Sequence, residues 1–298
     1  MALDTSKIKL PREVATVITK KAKDASVIAA LSPSTPQLFL NTDYMVFSGS
    51  SEAEVLGEGE QKSSYEQELP SVSGKRFKVV TTTRVSSELK WADEDNQLEI
   101  INGIQSDQSA AMARALDYVV FHGLDPKKRT VLDGYTKLAD TAIQVTATDD
   151  PIADLDGFPD AVNDEYEVNG IALSKTFASQ LRKVRVPATG MRMYPEIPIN
   201  LAVGNLDGIA AAVSGTVNGR LSPTPTGVLA FLGDFSLIKW GMVRDIYSEI
   251  IEYGDPDNIG KDLKGYNQIA YRTEAVYSYA VLDPKGLAVL KAPAPAGA

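Results

Sequence analysis

The side chains that most often carry chemistry are scarce in this chain of 298 residues, which has no cysteine and one histidine, His122. Without cysteine it holds no disulfide, thiolate nucleophile, zinc ribbon or Cys-ligated iron–sulfur cluster. A single imidazole excludes, within one subunit, every site built on two histidines, and a Ser-His-Asp triad would have to use His122. That residue closes a long helical pattern, where a cation complements the helix dipole, so its expected role is structural. Carboxylates are the remaining candidates. Asp154-Leu155-Asp156-Gly157 imitates the middle of an EF-hand loop, but aligning Gly157 puts Ile152 at the first ligand position and Asn163 at the closing one. Acids in the first turn of a helix, with Pro151 beside them, are the ordinary account of this stretch. The pairs Glu58/Glu60 and Glu66/Glu68 would suit a glycosidase only if one acid were raised, and their polar, exposed setting cannot do that. Gly57-Glu58-Gly59 lacks the third glycine and the helix of a dinucleotide loop, and its acids repel phosphate. There is no P-loop and no G-x-S-x-G elbow. The expectation is a protein that is not an enzyme, with no cofactor and no metal.

The elements around these residues are mixed helix and strand. Residues 11–31 place Val14, Val17, Ile18, Val27, Ile28 and Leu31 at spacings of one or two short helices, stopped by Pro33 and Pro36. Residues 44–47 with 53–56, and then 77–85, read as two strand-rich limbs. Between them, residues 57–74 have too few apolar side chains for a core of their own. A long hairpin of this kind needs something to lie against, and another subunit is the natural supplier. The acids and amide at 93–96 and Gly123 frame one helix over about 97–122, roughly 39 Å long at 1.5 Å per residue. Leu98, Ile101, Ile104, Ala111, Met112, Ala115, Leu116, Val119 and Val120 give it a broad apolar stripe. Further on, 167–173 reads as a strand and 174–185 as a helix. Residues 187–228 are rich in Pro and Gly, with 209–213 as a short helix. Strands follow at 228–231, 237–240, 246–251, 270–281 and 287–290. Tyr271, Tyr277 and Tyr279 alternate, as on a half-buried sheet face. The class is α+β.

Composition is globular, with 44% hydrophobic and 23% charged residues, and no apolar run approaches the ~20 residues of a membrane span. No signal-peptide core follows Met1, which places the chain in the cytoplasm that makes it. The net charge of −9 opposes non-specific DNA binding as a main activity. Residues 1–30 nevertheless carry a net +3 through Lys7, Lys9, Arg12, Lys20, Lys21 and Lys23. Two readings remain open for this end: a solvated amphipathic terminus, or a basic arm that crosses onto an acidic neighbour or faces nucleic acid.

Taken in order, Leu56-Gly57-Glu58-Gly59-Glu60, the strand run from Lys75, Val85-Ser86-Ser87-Glu88-Leu89, the Ala111 to Gly123 helix end and Val168-Asn169-Gly170 before Leu173 resemble the major capsid protein of tailed bacteriophages, the Hong Kong ninety-seven fold. The resemblance covers nearly the whole chain and rests on the order of short motifs. It implies an N-terminal arm (1–42), an extended β-hairpin loop (43–85), a peripheral domain with a long spine helix (86–189 and 266–292), an axial domain (190–265) and a disordered tail (293–298). It implies hexamers and pentamers closing into an icosahedral shell around double-stranded DNA, assembled in the host bacterial cytoplasm and placed in the virion capsid. Inter-subunit contacts are then expected at Lys7, Arg12, Lys20 and Lys21 of the arm and at Glu58, Glu60, Lys62, Glu66 and Glu68 of the loop. The arm-like region begins close to Met1, so a separate scaffolding protein is expected, with a portal, possible decoration protein and non-specific DNA contact as further partners and no membrane. Lys62 lies where some relatives form an isopeptide bond, but no partner matches and no bond is expected. An encapsulin-type compartment shell is the alternative within this fold. A hydrolytic or carbohydrate-binding α+β protein is the alternative from another class.

Overall fold

The computed structural model describes residues 25–35, 43–46, 53–62, 64, 70–96, 100–162 and 166–293. In chain order its helices are α1 (Val27–Leu31), α2 (Ser87–Asn96), α3 (Ile100–His122), α4 (Leu138–Thr141), α5 (Pro151–Gly157) and α6 (Lys175–Lys183). The strands are β1 (Asp43–Met45), β2 (Ser71–Ser73), β3 (Lys75–Ser86), β4 (Leu124–Asp125), β5 (Thr130–Val131), β6 (Ile143–Thr146), β7 (Gly170–Ser174), β8 (Asn205–Leu206), β9 (Ile209–Ser214), β10 (Val228–Gly233), β11 (Ile238–Ile251), β12 (Gln268–Val281) and β13 (Leu287–Lys291).

Two sheets organise the molecule. A six-stranded mixed sheet has the order β6-β13-β10-β7-β9-β8, and a long three-stranded antiparallel sheet has the order β11-β12-β3. The six-stranded sheet is buried on both faces, which is why β7, β10 and β13 read as continuous apolar runs. Ala172, Phe231, Leu287 and Val289 face the core around α3. Their neighbours Ile171, Leu173, Leu232, Ala288 and Leu290 face α5 and α6. Phe121 of α3 stacks on Phe231, with ring centroids 4.5 Å apart. The earlier part of the helix runs along the three-stranded sheet, where Gln108 bonds to β3 and β12, so α3 joins the two sheets.

Several local expectations hold for stated reasons. Gly123 ends α3 with φ 57°, Asp150 caps α5 by accepting from the Ile152 amide, with Pro151 in the first turn, and Ser174 caps α6. Tyr271, Tyr277 and Tyr279 are all buried, and Tyr279 donates to the Thr136 carbonyl.

Others are corrected. Residues 87–96 form a helix of their own, started by Ser86, whose hydroxyl accepts from the Leu89 amide; the stretch 93–96 ends α2. Residues 209–213 are strand, because the Asp207-Gly208 pair, with φ 49° and 87°, turns β8 back into β9 and β7 takes β9 as a parallel neighbour. Residues 53–57 form no strand; β1 pairs with β2 instead. The pieces 237–240 and 246–251 are one strand interrupted by register shifts near Arg244. The six-stranded sheet draws strands from 143–146, 170–174, 205–214, 228–233 and 287–291, so it runs across the boundary expected at residue 190. The tail 294–298 lies outside the described residues.

Candidate assembly surfaces

Of the residues singled out in the sequence, Lys7, Arg12, Lys20, Lys21, Glu66 and Glu68 lie outside the described residues. Glu58, Glu60 and Lys62 are exposed in one loop. A turn shapes its tip: the Glu60 amide donates to the Gly57 carbonyl, Glu60 Oε2 accepts from the Gly57 amide at 2.7 Å, and Gly59 takes φ 89°. Val55, in the same limb, is 96% exposed. The described residues 53–62 therefore join none of the buried clusters, and Glu58 and Glu60 face outward.

Three buried polar networks, none anticipated from the sequence, fasten the segments that lead to the surfaces. Asp117, fully buried on α3, accepts from Ser26 Oγ at 2.6 Å, the Val27 amide at 2.9 Å, the Ile28 amide at 3.2 Å and Thr216 Oγ1 at 2.7 Å. It thus binds the root of the N-terminal segment to the turn after β9. Burial pushes its carboxyl up to about 6 although all four hydrogen bonds pull the other way. The segment then follows the start of β11, with Thr35 donating to the Trp240 carbonyl and Trp240 Nε1 to the Ser32 carbonyl.

Gln108, nearer the N-terminus of α3, donates to Thr83 Oγ1 and the Tyr271 carbonyl and accepts from Thr273 Oγ1. It ties α3 to β3 and β12. His122 donates through Nε2 to the Thr216 and Val217 carbonyls, and burial lowers its pKa. It ties the end of α3 to the turn after β9, and its burial disfavours the cation expected on the helix dipole.

Arg84 of β3 organises the loop between β11 and β12. Its guanidinium binds Asp255 and Asp257 and donates to the Lys261 carbonyl at 2.8 Å. The hydrogen bond from Arg84 holds the Asp257 carboxyl below its usual value. Asp255 also accepts from the Gly260 amide, and Asp262 from the Gly254 and Gly265 amides. These contacts brace the loop that joins the two long strands. Beside it, Met242, Ile246, Tyr247 and Ile250 of β11 and Tyr253 are exposed. A row of large apolar side chains on an edge strand is unusual for a surface that meets only water.

Among the described residues no group of three or more His, Asp or Glu is placed to hold a metal ion, and no helix is long and apolar enough to cross a membrane. Asp154 accepts from the amide and hydroxyl of Thr148, which gives this acid of the EF-hand-like stretch a structural partner.

The sequence model of the Phage capsid family matches residues 8–292. The chain belongs to the phage capsid family. A solved structure from Mycobacterium phage Ogopogo is 33% identical, with a TM-score of 0.84 over 98% of this chain and 100% of that one. One from Gordonia phage Cozz is 28% identical, with a TM-score of 0.78 over 96% and 92%. A chain described as the capsid of an empty GTA particle shares the fold at 14% identity and a TM-score of 0.65, covering 97% of each chain. No curated protein matches. The capsid fold is thus shared along the full length, and its family and fold are those of a structural protein of the virion capsid.

Proposed function

We propose that this capsid protein assembles with copies of itself into hexamers and pentamers that close an icosahedral shell around the double-stranded DNA of a tailed phage. The observation that carries the proposal is the full-length match to the phage capsid family, with 33% identity to a phage chain. The surfaces support it physically. A loop with no core of its own and an apolar edge strand both gain by covering a neighbour. Closed shells arise when such contacts are heterologous and their rotation is finite.

In this reading the loop with Glu58, Glu60 and Lys62, continued by Glu66 and Glu68, reaches over an adjacent subunit. The basic stretch with Lys7, Arg12, Lys20 and Lys21 is an arm that clasps another. The division into arm (1–42), extended loop (43–85), peripheral domain (86–189 and 266–292) and axial domain (190–265) belongs to the same reading, with the six-stranded sheet drawing strands from both the peripheral and the axial segments. Assembly takes place in the host bacterial cytoplasm with a separate scaffolding protein and a portal. The test is expression of the chain alone and with its neighbouring genes, followed by size-exclusion chromatography and negative-stain electron microscopy. Capsomers, tubes or shells are expected, with DNA in closed particles made alongside packaging genes. A stable monomer under every condition refutes self-assembly, and shells filled with an enzyme cargo refute the genome-enclosing role.

A further inference from the structure

A stretch of chain leaving α6 carries two unneutralised patches of opposite sign. Residues 184–193 form a short hairpin: Met193 donates to the Val184 carbonyl, Val186 to the Met191 carbonyl, and Gly190 to the Val186 carbonyl. Arg185 and Arg192 face each other across its antiparallel bridge. Like charges directly opposite on paired strands repel. Lys183, at the end of α6, adds a third cation. Among the described residues none of the three is in an ion pair.

The acidic patch begins one residue past the hairpin, around Tyr194. Partial burial and then the nearby carboxylates of Asp156, Asp207, Asp150 and Glu196 raise the phenol's pKa. Asp156 and Asp150 come from α5 and its cap, Glu196 from the chain after the hairpin, and Asp207 from the turn between β8 and β9. These carboxylates also lack a cationic partner among the described residues. Alongside, Met191 is 69% and Ile199 79% exposed, which supplies apolar contact beside the charges.

We propose that the 184–193 hairpin of one copy docks on the acidic face around Tyr194 of the next copy, a head-to-tail contact that orders subunits within a ring. The two patches lie on different parts of one chain, so the contact is heterologous and each copy both gives and receives it. Complementary charge of this kind chiefly sets partner choice and register. A nucleic-acid partner for the hairpin is disfavoured because the adjoining carboxylates, in a chain of net charge −9, repel a polyanion. The proposal rests on the shell reading above.

The test uses two full-length variants, R185E/R192E and D156K/E196K/D207K, each checked for wild-type far-UV circular dichroism. If reversing Arg192 disturbs the fold, K183E/R185E, both at exposed positions, replaces the first variant. Sedimentation velocity and negative-stain microscopy follow assembly of each alone and of an equimolar mixture. Either variant alone presents like charges at every junction, and loss of assembly is expected. The mixture restores opposite charges at every junction of an alternating ring, so recovery limited to even-numbered rings is expected. Wild-type assembly by R185E/R192E alone overturns the docking and leaves the shell reading intact. Loss of assembly by both variants without recovery in the mixture also overturns it. If R185E/R192E assembles normally but retains less DNA, the hairpin contacts nucleic acid and the docking is wrong. A wild-type chain that never assembles overturns the shell reading and the docking together.

Discussion

Asp117 allows burial and hydrogen bonding to be weighed against each other in one measurement. Its four hydrogen bonds favour the carboxylate, while complete burial disfavours it, and burial prevails: the carboxyl lies at about 6 against an ordinary 3.8. A folded-state pKa above the unfolded one means that the folded chain binds this proton more readily. The group therefore contributes stability that is fully present below about pH 4 and is lost as the pH rises through 6. Each unit of pKa difference is worth about 1.36 kcal/mol, so the contribution changes by about 3 kcal/mol across that window. Asp117→Asn keeps the shape and removes the titration. Urea unfolding of unassembled wild type and variant, at half-unit steps from pH 4 to 7.5, gives a difference curve in which all other groups largely cancel. That cancellation matters because Asp257, held low by Arg84, changes stability in the opposite sense, losing its contribution as the pH falls. The expected curve shows the wild type losing about 2.4 kcal/mol relative to Asp117→Asn between pH 4 and 7, most of the full difference. A flat curve, or one that rises with pH because the hydrogen bonds outweigh burial, would refute the reasoning.

Other perturbations probe the frame and the surfaces. Arg84→Met strands Asp255 and Asp257, whose side chains are 24% and 26% exposed, so solvent softens the loss to about 2 kcal/mol. Faster limited proteolysis within 252–267 and a lower melting temperature are expected, and unchanged cleavage would contradict the bracing role. Gly233→Ala puts a Cβ 2.2 Å from the Gly286 carbonyl oxygen at φ 143°, a backbone-on-backbone clash. More than about 3 kcal/mol should be lost, visible as insoluble expression or a collapsed melting transition. Replacing Glu58, Glu60 and Lys62 together by alanine should leave the melting temperature of the unassembled chain within about 1 °C, because exposed groups contribute little. The yield of assembled particles should fall, and a full yield would remove the loop from the list of contacts.

The long helix and the strands at 75–85 and 270–281 were legible because their apolar residues recur at periods of 3.6 and 2, which depend only on neighbours a few positions away. The capsid resemblance was legible for a related reason, the order of such segments. Residues 209–213 misled because three alanines look helical by propensity, whereas the Asp207-Gly208 turn and the parallel partner β7 overrode it. The acids and amide at 93–96 suggest a helix that starts near 97, whereas Ser86 starts a separate helix over 87–96. The loop acids Glu58 and Glu60 were found as exposed because a polar stretch with two glycines can hardly be anything else.

The sequence by itself thus determined the α+β class, the family and the absence of cysteine and two-histidine chemistry, all of which follow from composition and short-range pattern. Only the tertiary structure decided that Asp117 is a buried anchor for Ser26, Val27, Ile28 and Thr216, which lie 89 to 99 residues away. It likewise decided that Arg84 meets acids more than 170 residues further along and that Arg185 and Arg192 stand opposed. A charged residue looks the same in sequence whether it is solvated, buried or paired. Which of these it becomes depends on the groups that the rest of the fold brings to it, and burial then alters its chemistry.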